Sequence, residues 1–449
     1  MTQATRARDH ARVAGVTPSA PRLHRLTTLP SGVRIVTESM DSVRSVALGV
    51  WIGTGSVTED EPEAGLSHLL EHMLFRGTDR YGSLEIDQLF DAMGAELNAG
   101  TGKETTSVYA RVLDVHLPEA FDVMHEMVWK PRIAADDLDN ERQIVLEEIA
   151  MYEDDPQDKV FDVLGEAIFG GHPLGRAVIG HADVVAGSRA DVLKAFHAQR
   201  YGPHNVVLAA AGSIDHDALV ELALAADAAA LPAAAAPLAP PPPDGQAARM
   251  RFIRKDTEQY HVCLGAPGIA RDDDRRWALR VLDNVLGGTS SSRLFQEVRE
   301  RRGLAYSVYS FSALHAGTGQ VGLYVGTRPD NVGAAMRVVG TELERFVADP
   351  VTPEELARSK ENVKGRTVLA LESTSARMNR LGSSVLAGLP VLSVDVLDDL
   401  VDAVTVDDVR ELAAELYAPE RLSAAGVGGD ESAFRRALEP ISPALAEAA

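Results

Sequence analysis

Residues 65–77 read Gly65-Leu66-Ser67-His68-Leu69-Leu70-Glu71-His72-Met73-Leu74-Phe75-Arg76-Gly77. On a helical wheel at 100° per residue, Leu66, Leu69, Leu70, Met73 and Leu74 share one side. His68, Glu71 and His72 share the other. The apolar stripe needs a core to cover it, so the helix packs onto a larger body and turns the polar trio away from it. Histidines at i and i+4 are neighbours on a helix and can share one metal ion. Asp60 or Glu61, with Pro62 and Glu63, suits the start of this helix, and Gly77 suits its end.

The flanking sequence predicts a mixed body for the helix to pack on. Val33-Arg34-Ile35-Val36 and Ser45-Val46-Ala47-Leu48-Gly49-Val50-Trp51 alternate or run apolar, as half-buried strands do. Helices are predicted at about 64–76, 84–93, 117–129, 135–153 and 189–199. The chain then repeats itself. Phe75-Arg76-Gly77-Thr78 has a counterpart in Leu286-Gly287-Gly288-Thr289, and Tyr201-Gly202-Pro203 in Tyr417-Ala418-Pro419. The offset between copies is 211 for Thr78 and 216 for Tyr201, too long for a solenoid, so the chain is a two-fold duplication. Between the copies lies a Pro/Ala-rich stretch, 228–248, with Pro240-Pro241-Pro242-Pro243. Proline fixes φ and lacks an N–H, so this stretch reads as an extended linker. The expected fold is α+β: two homologous domains, each a mainly antiparallel sheet with helices packed on one face. The expected divisions are a disordered tail at 1–25, a metal-binding domain at 26–227, the linker at 228–248, and a metal-free, substrate-binding domain at 249–449.

Composition narrows the class. Of 449 residues, 45 % are hydrophobic and 24 % charged, which excludes a disordered or collagen-like chain. The formal net charge is −22, which argues against nucleic acid as a partner and suits basic peptides. The single cysteine, Cys263, permits no internal disulfide and reads as a core residue. No apolar run of about 20 residues predicts a membrane span, and residues 1–25 lack the apolar core of a secretory signal. A bacterial cytoplasm is the expected location.

His68-Leu69-Leu70-Glu71-His72 is the reversed zinc motif, His-x-x-Glu-His. Two neutral imidazoles bind Zn²⁺, and the glutamate between them reaches a zinc-bound water and takes its proton. A catalytic zinc needs a third protein ligand. On the predicted helix at 135–153, Leu138, Val145, Ile149 and Tyr152 define the buried side. Glu141 and Glu148 lie beside that stripe, while Glu147 points away. A carboxylate at a buried edge is costly unless paired or metal-bound, which favours Glu148 as the ligand. Glu141 fits a second role, orienting a ligand or the water.

Together, His68-Leu69-Leu70-Glu71-His72 and Glu148, 76 residues on, resemble the pitrilysin-type inverted zinc peptidases. The resemblance is strongest to the mitochondrial processing peptidase β-subunit and its bacterial relatives, and runs from about Thr27 to Gly429. It implies one Zn²⁺ per chain on His68, His72 and Glu148, Glu71 as general base, and Glu141 as a supporting catalytic carboxylate. It also implies that Asn98-Ala99, before Glu104-Thr105-Thr106-Ser107-Val108-Tyr109, lies on an edge strand that pairs with an extended peptide. In the second half, Arg299 and Tyr306 resemble the family's arginine–tyrosine element, which reaches the peptide carbonyl.

The duplication is an internal control. Aligning Thr78 with Thr289 puts Leu279, Leu282 and Asp283 in place of His68, Glu71 and His72. Aligning Leu138 with Leu356 puts Arg366 opposite Glu148, so the second half has no zinc site. The function expected is zinc-dependent endopeptidase action on unfolded or presequence-like peptides, as a homodimer. The rival readings are a non-catalytic scaffold subunit and a chain active only with a different partner.

Overall fold

A computed structural model describes residues 24–226, 241, 248–349 and 351–447. Most of the expected tail and of the 228–248 linker lies outside the described residues.

The chain begins with β1 (Arg25–Thr28), β2 (Arg34–Ser39), β3 (Ser45–Ile52), α1 (Leu66–Leu74), α2 (Ser83–Ala92), β4 (Glu96–Thr101) and β5 (Thr106–Leu113). It continues through α3 (Leu117–Trp129), α4 (Ala135–Asp154), α5 (Pro156–Phe169), α6 (Ala182–Gly187), α7 (Ala190–Arg200), β6 (Val206–Gly212) and α8 (His216–Ala226). The second half has β7 (Met250–Arg254), β8 (Tyr260–Gly268), α9 (Arg276–Leu286), β9 (Ser307–His315), β10 (Thr318–Thr327), α10 (Val332–Ala348) and α11 (Pro353–Ala370). It ends with α12 (Thr374–Leu386), α13 (Val394–Asp402), α14 (Val406–Leu416), β11 (Ser423–Gly428), α15 (Glu431–Leu438) and α16 (Pro443–Glu447).

The first sheet has the order β1-β2-β6-β3-β5-β4 and the second β7-β11-β8-β10-β9. In each, one pair is parallel (β2 with β6, β7 with β11) and the rest are antiparallel. The second order is the first without β1, so the sequence duplication is a duplication of topology. The predicted helices form at 66–74, 83–92, 117–129, 135–154 and 190–200.

The expectation that helices cover one face of each sheet needs an addition. Helices of the first half, including α1 and α3, pack on one face through Leu70, Met73, Met124 and Val128, against Val46, Leu48 and Leu208. The other face carries Val36, Ala47, Val207, Ala209 and Ala211, and α12 of the second half covers it with Met378, Leu381 and Val385. Reciprocally, α5 of the first half covers Cys263, Tyr324, Ala425 and Val427 of the second sheet with Val160, Leu164 and Ile168. Each sheet is therefore sandwiched, with its second cover supplied by the opposite half. This two-sided burial explains why β6 is buried at all seven positions and reads as an unbroken apolar run. The close fit is local: a Cβ on Gly382 of α12 would stand 2.2 Å from Trp51 Nε1.

Candidate metal centre

Helix α1 starts later than its sequence suggests. Asp60 caps a separate short turn at Glu61–Glu63, and α1 opens at Leu66 after Gly65, whose φ is 103°. A side chain at Gly65 would be strained in that conformation, and its Cβ would stand 2.7 Å from the Ile179 carbonyl. The free N–H groups at the helix start are met by Glu59, which is 2 % exposed and accepts from Gly65 N at 2.9 Å and Ser67 N at 2.7 Å. The apolar stripe is as expected: Leu66, Leu69, Leu70, Met73 and Leu74 are buried, and His68, Glu71 and His72 stand partly exposed.

Helix α4 packs against α1 and brings in the carboxylates. Leu138, Glu141 and Val145 are buried, Ile149 is half-buried and Glu147 exposed. Tyr152, expected on the buried side, is exposed, because α4 ends two residues later and the chain turns at Asp155-Pro156 into α5. Glu148 Oε2 lies 3.7 Å from His68 Nε2 and 3.6 Å from His72 Nε2. The three ligand atoms of His68, His72 and Glu148 all fall within 4.8 Å of one another. Zinc–ligand bonds of about 2.0–2.2 Å in a tetrahedral shell put ligand atoms about 3.4 Å apart, so this donor set fits Zn²⁺ and leaves a fourth position open. Among the described residues, this is the one group of three or more His, Cys, Asp or Glu side chains with such spacing.

The surroundings set the state of each group. Burial, then the neighbouring His72, pulls His68 down to about 4, which keeps it neutral and able to offer a lone pair. Burial also pulls on His72, but its hydrogen bond to Glu141 and the charges of Glu141, Glu148 and Glu71 outweigh that and raise it. Glu141, 1 % exposed, accepts from His72 Nδ1 at 3.0 Å and pairs with Arg76 Nε at 2.5 Å. With Nδ1 donating, Nε2 of His72 is left as the acceptor that points toward Glu148. Glu141 thus stands behind His72 rather than at the reacting face. Burial raises Glu71, and a hydrogen bond donated by the Thr101 hydroxyl works against that shift.

Thr101 ends β4, the last strand of the first sheet, which among the described residues pairs with β5 alone. Asn98 and Ala99 lie on β4, and the outer edge of that strand is open to a further strand. The Asn98 side chain accepts from Ala99 N at 2.8 Å. Arg299 sits on a π-helical turn, Phe295–Glu300, donates to the Tyr306 carbonyl at 3.0 Å and stacks over the Tyr306 ring at 4.5 Å. Tyr306 is 75 % exposed. Among the described residues, neither makes a hydrogen bond or ion pair to His68, Glu71, His72 or Glu148.

Thr101, Arg76 and Glu59 were not singled out from sequence, nor was Tyr201, whose buried hydroxyl lies near enough to Glu71 to feel its charge. Arg76 carries a readable signal, because it follows His72 by four positions on the same helix face. Tyr201 carries another in its repetition as Tyr417. Thr101 and Glu59 meet α1 only through tertiary contacts.

The family model described as "Insulinase (Peptidase family M16)" matches residues 34–182, and the one described as "Peptidase M16 inactive domain" matches 189–363. A protein of Streptomyces coelicolor named as a zinc protease is 45 % identical over 418 residues, covering 92 % of this chain and 91 % of its own. One of Bacillus subtilis, also named as a zinc protease, is 39 % identical over 391 residues, covering 87 % and 95 %. A structure described as a peptidase M16 inactive domain from Pseudomonas fluorescens superposes with a TM-score of 0.84 at 24 % identity, over 91 % of this chain and 98 % of the other. A Helicobacter pylori protease superposes equally well, at 22 % identity over 90 % and 99 %.

Proposed function

This chain belongs to peptidase family M16 and is a metallopeptidase; from that premise we propose a zinc endopeptidase of unfolded or presequence-like peptides, with Glu71 as general base. The convergence of His68, His72 and Glu148 beside Glu71 carries this reading. Zinc held by those three side chains, one ion per chain, supplies Lewis-acid polarisation of the scissile carbonyl and a more acidic water. Glu71 takes the proton of the attacking water and passes it to the leaving amine. Thr101 holds the Glu71 carboxylate, and Glu141 holds the His72 ring. The open edge of β4, with Asn98 and Ala99, binds the peptide as an added strand, through main-chain hydrogen bonds that any sequence can make.

In this reading Arg299 and Tyr306 bring a cation and a phenol to the peptide carbonyl, from the same chain or a second copy. The active form is a homodimer in a bacterial cytoplasm, consistent with a single buried cysteine that needs no oxidising compartment. No described helix is long and apolar enough to cross a membrane. The scaffold alternative is disfavoured by the intact ligand set and its base.

The test is cleavage of a quenched basic peptide by the wild type and Glu71→Gln, with zinc content measured on both. The reading expects about one zinc per chain in each protein and a cleavage rate at least about 10²-fold lower in the variant. Zinc-loaded wild type that cleaves nothing, alone and as a dimer on size-exclusion chromatography, returns the weight to a scaffold or a missing partner chain.

A further inference from the structure

The second half holds a cavity of about 450 Å³ beside α9, α11 and α12, and five arginines line it: Arg271, Arg276, Arg280, Arg366 and Arg380. No described carboxylate lines it, in a chain of formal net charge −22. Three of the five are engaged. Arg271 pairs with Glu104, Arg276 donates to the Asp273 carbonyl at 2.9 Å, and Arg380 donates to the Leu392 carbonyl at 3.0 Å and faces Glu38. Arg280 and Arg366 differ: among the described residues neither has a hydrogen bond or ion pair, and both are exposed to the cavity. Arg280 leans over the Trp277 ring at 5.2 Å. Asp283 feels the charge of Arg366 from an adjoining cavity that the two arginines also line.

The position has a counterpart in the first half. Helices α9 and α11 stand in the second half where α1 and α4 stand in the first, and Arg366 takes the place of Glu148. One copy of the duplicated unit presents a carboxylate to a cation, and the other presents a guanidinium at the same place.

We propose that Arg280 and Arg366 form a subsite for a peptide carboxylate. A guanidinium fork matches a carboxylate in two parallel hydrogen bonds. The apolar part of the wall, including Trp277, Leu371 and Leu397, covers the side chains next to that carboxylate and favours a peptide over an inorganic anion. Arg271 connects this cavity to the peptide-binding strand, because its partner Glu104 belongs to the turn that follows β4. The carboxylate comes from an acidic side chain or from the peptide's C-terminus. The inference rests on the peptidase reading for its choice of ligand.

Isothermal titration calorimetry of zinc-loaded Glu71→Gln protein tests it, with that protein and its Arg280→Gln/Arg366→Gln form compared. Four versions of one peptide are used: glutamate-containing with a free C-terminus, amidated, glutamate-to-glutamine, and both changes together. The arginine substitutions are expected to weaken the fully charged peptide about tenfold or more and leave the neutral one unchanged. The two singly neutralised peptides show which carboxylate is held. Equal binding of charged and neutral peptides, or equal affinity with and without the two arginines, overturns the subsite. If the double variant does not fold, Arg280→Gln and Arg366→Gln alone answer the same question. Arginine-dependent binding in a chain whose wild type cleaves nothing counts against the peptidase reading and leaves the subsite standing.

Discussion

Glu141 is the most deeply buried carboxylate at the metal centre, and its position between His72 and Arg76 decides what it does. A buried anion persists because it is paired on both sides, and the pairing fixes the tautomer and angle of the His72 ring. Replacing Glu141 by Gln, or Arg76 by Ala, is therefore expected to weaken zinc binding about 10- to 100-fold, measured by chelator competition. Unchanged zinc affinity in both variants would show that His72 needs no such support. The residues proposed as ligands and base were brought into view by a helical wheel, which needs only local spacing, and α1 and α4 are regular helices. Thr101 was not, because its hydroxyl reaches Glu71 from a strand that sheet pairing alone brings alongside. Arg299 and Tyr306, expected to reach the peptide carbonyl, stack on each other.

At the scale of elements, α1 depends on a device outside its own sequence. Glu59 supplies both oxygens to the N-terminal N–H groups, so Glu59→Ala is expected to cost about 1–3 kcal/mol, read as a shift in the denaturant midpoint. A change below 0.5 kcal/mol would mean that water replaces the carboxylate. The seam between the halves contains a titratable element on β9. His315 Nδ1 lies 3.4 Å from Glu104, yet burial and the cations Arg271 and Lys103 hold it down to about 4, since Arg271 already neutralises that carboxylate. A histidine with a depressed folded pKa contributes stability that is full above its unfolded value, about 6.5, and is lost as pH falls toward 4. Wild type is therefore expected to lose more stability than His315→Gln between pH 7 and 4. Parallel pH curves for the two proteins would contradict this. Helix α5 is hidden in the sequence because the periodicity of α4 runs on to Tyr152, and only Asp155-Pro156 marks the break between the two helices. The signal for its role lay in β11, Ser423–Gly428, whose small and apolar residues are buried at all six positions.

For the whole molecule, the exchange of α5 and α12 makes each half complete the other's core. Neither sheet has both faces covered without the opposite half. Calorimetry is expected to show one unfolding transition. Leu164→Ala or Leu381→Ala should each destabilise that single transition by about 2–5 kcal/mol. Two transitions, with each substitution moving one of them, would mean the halves fold independently. The duplicated framework also explains why a single metal is expected: α1 and α4 carry His68, His72 and Glu148, while α9 and α11 carry Leu279, Asp283 and Arg366. The most direct test of this account is an anomalous difference map at the zinc edge from crystals of the purified, zinc-replete chain. The account predicts one peak per chain, bounded by His68 Nε2, His72 Nε2 and the Glu148 carboxylate. No peak there, or a peak of equal height beside Asp283, would contradict it.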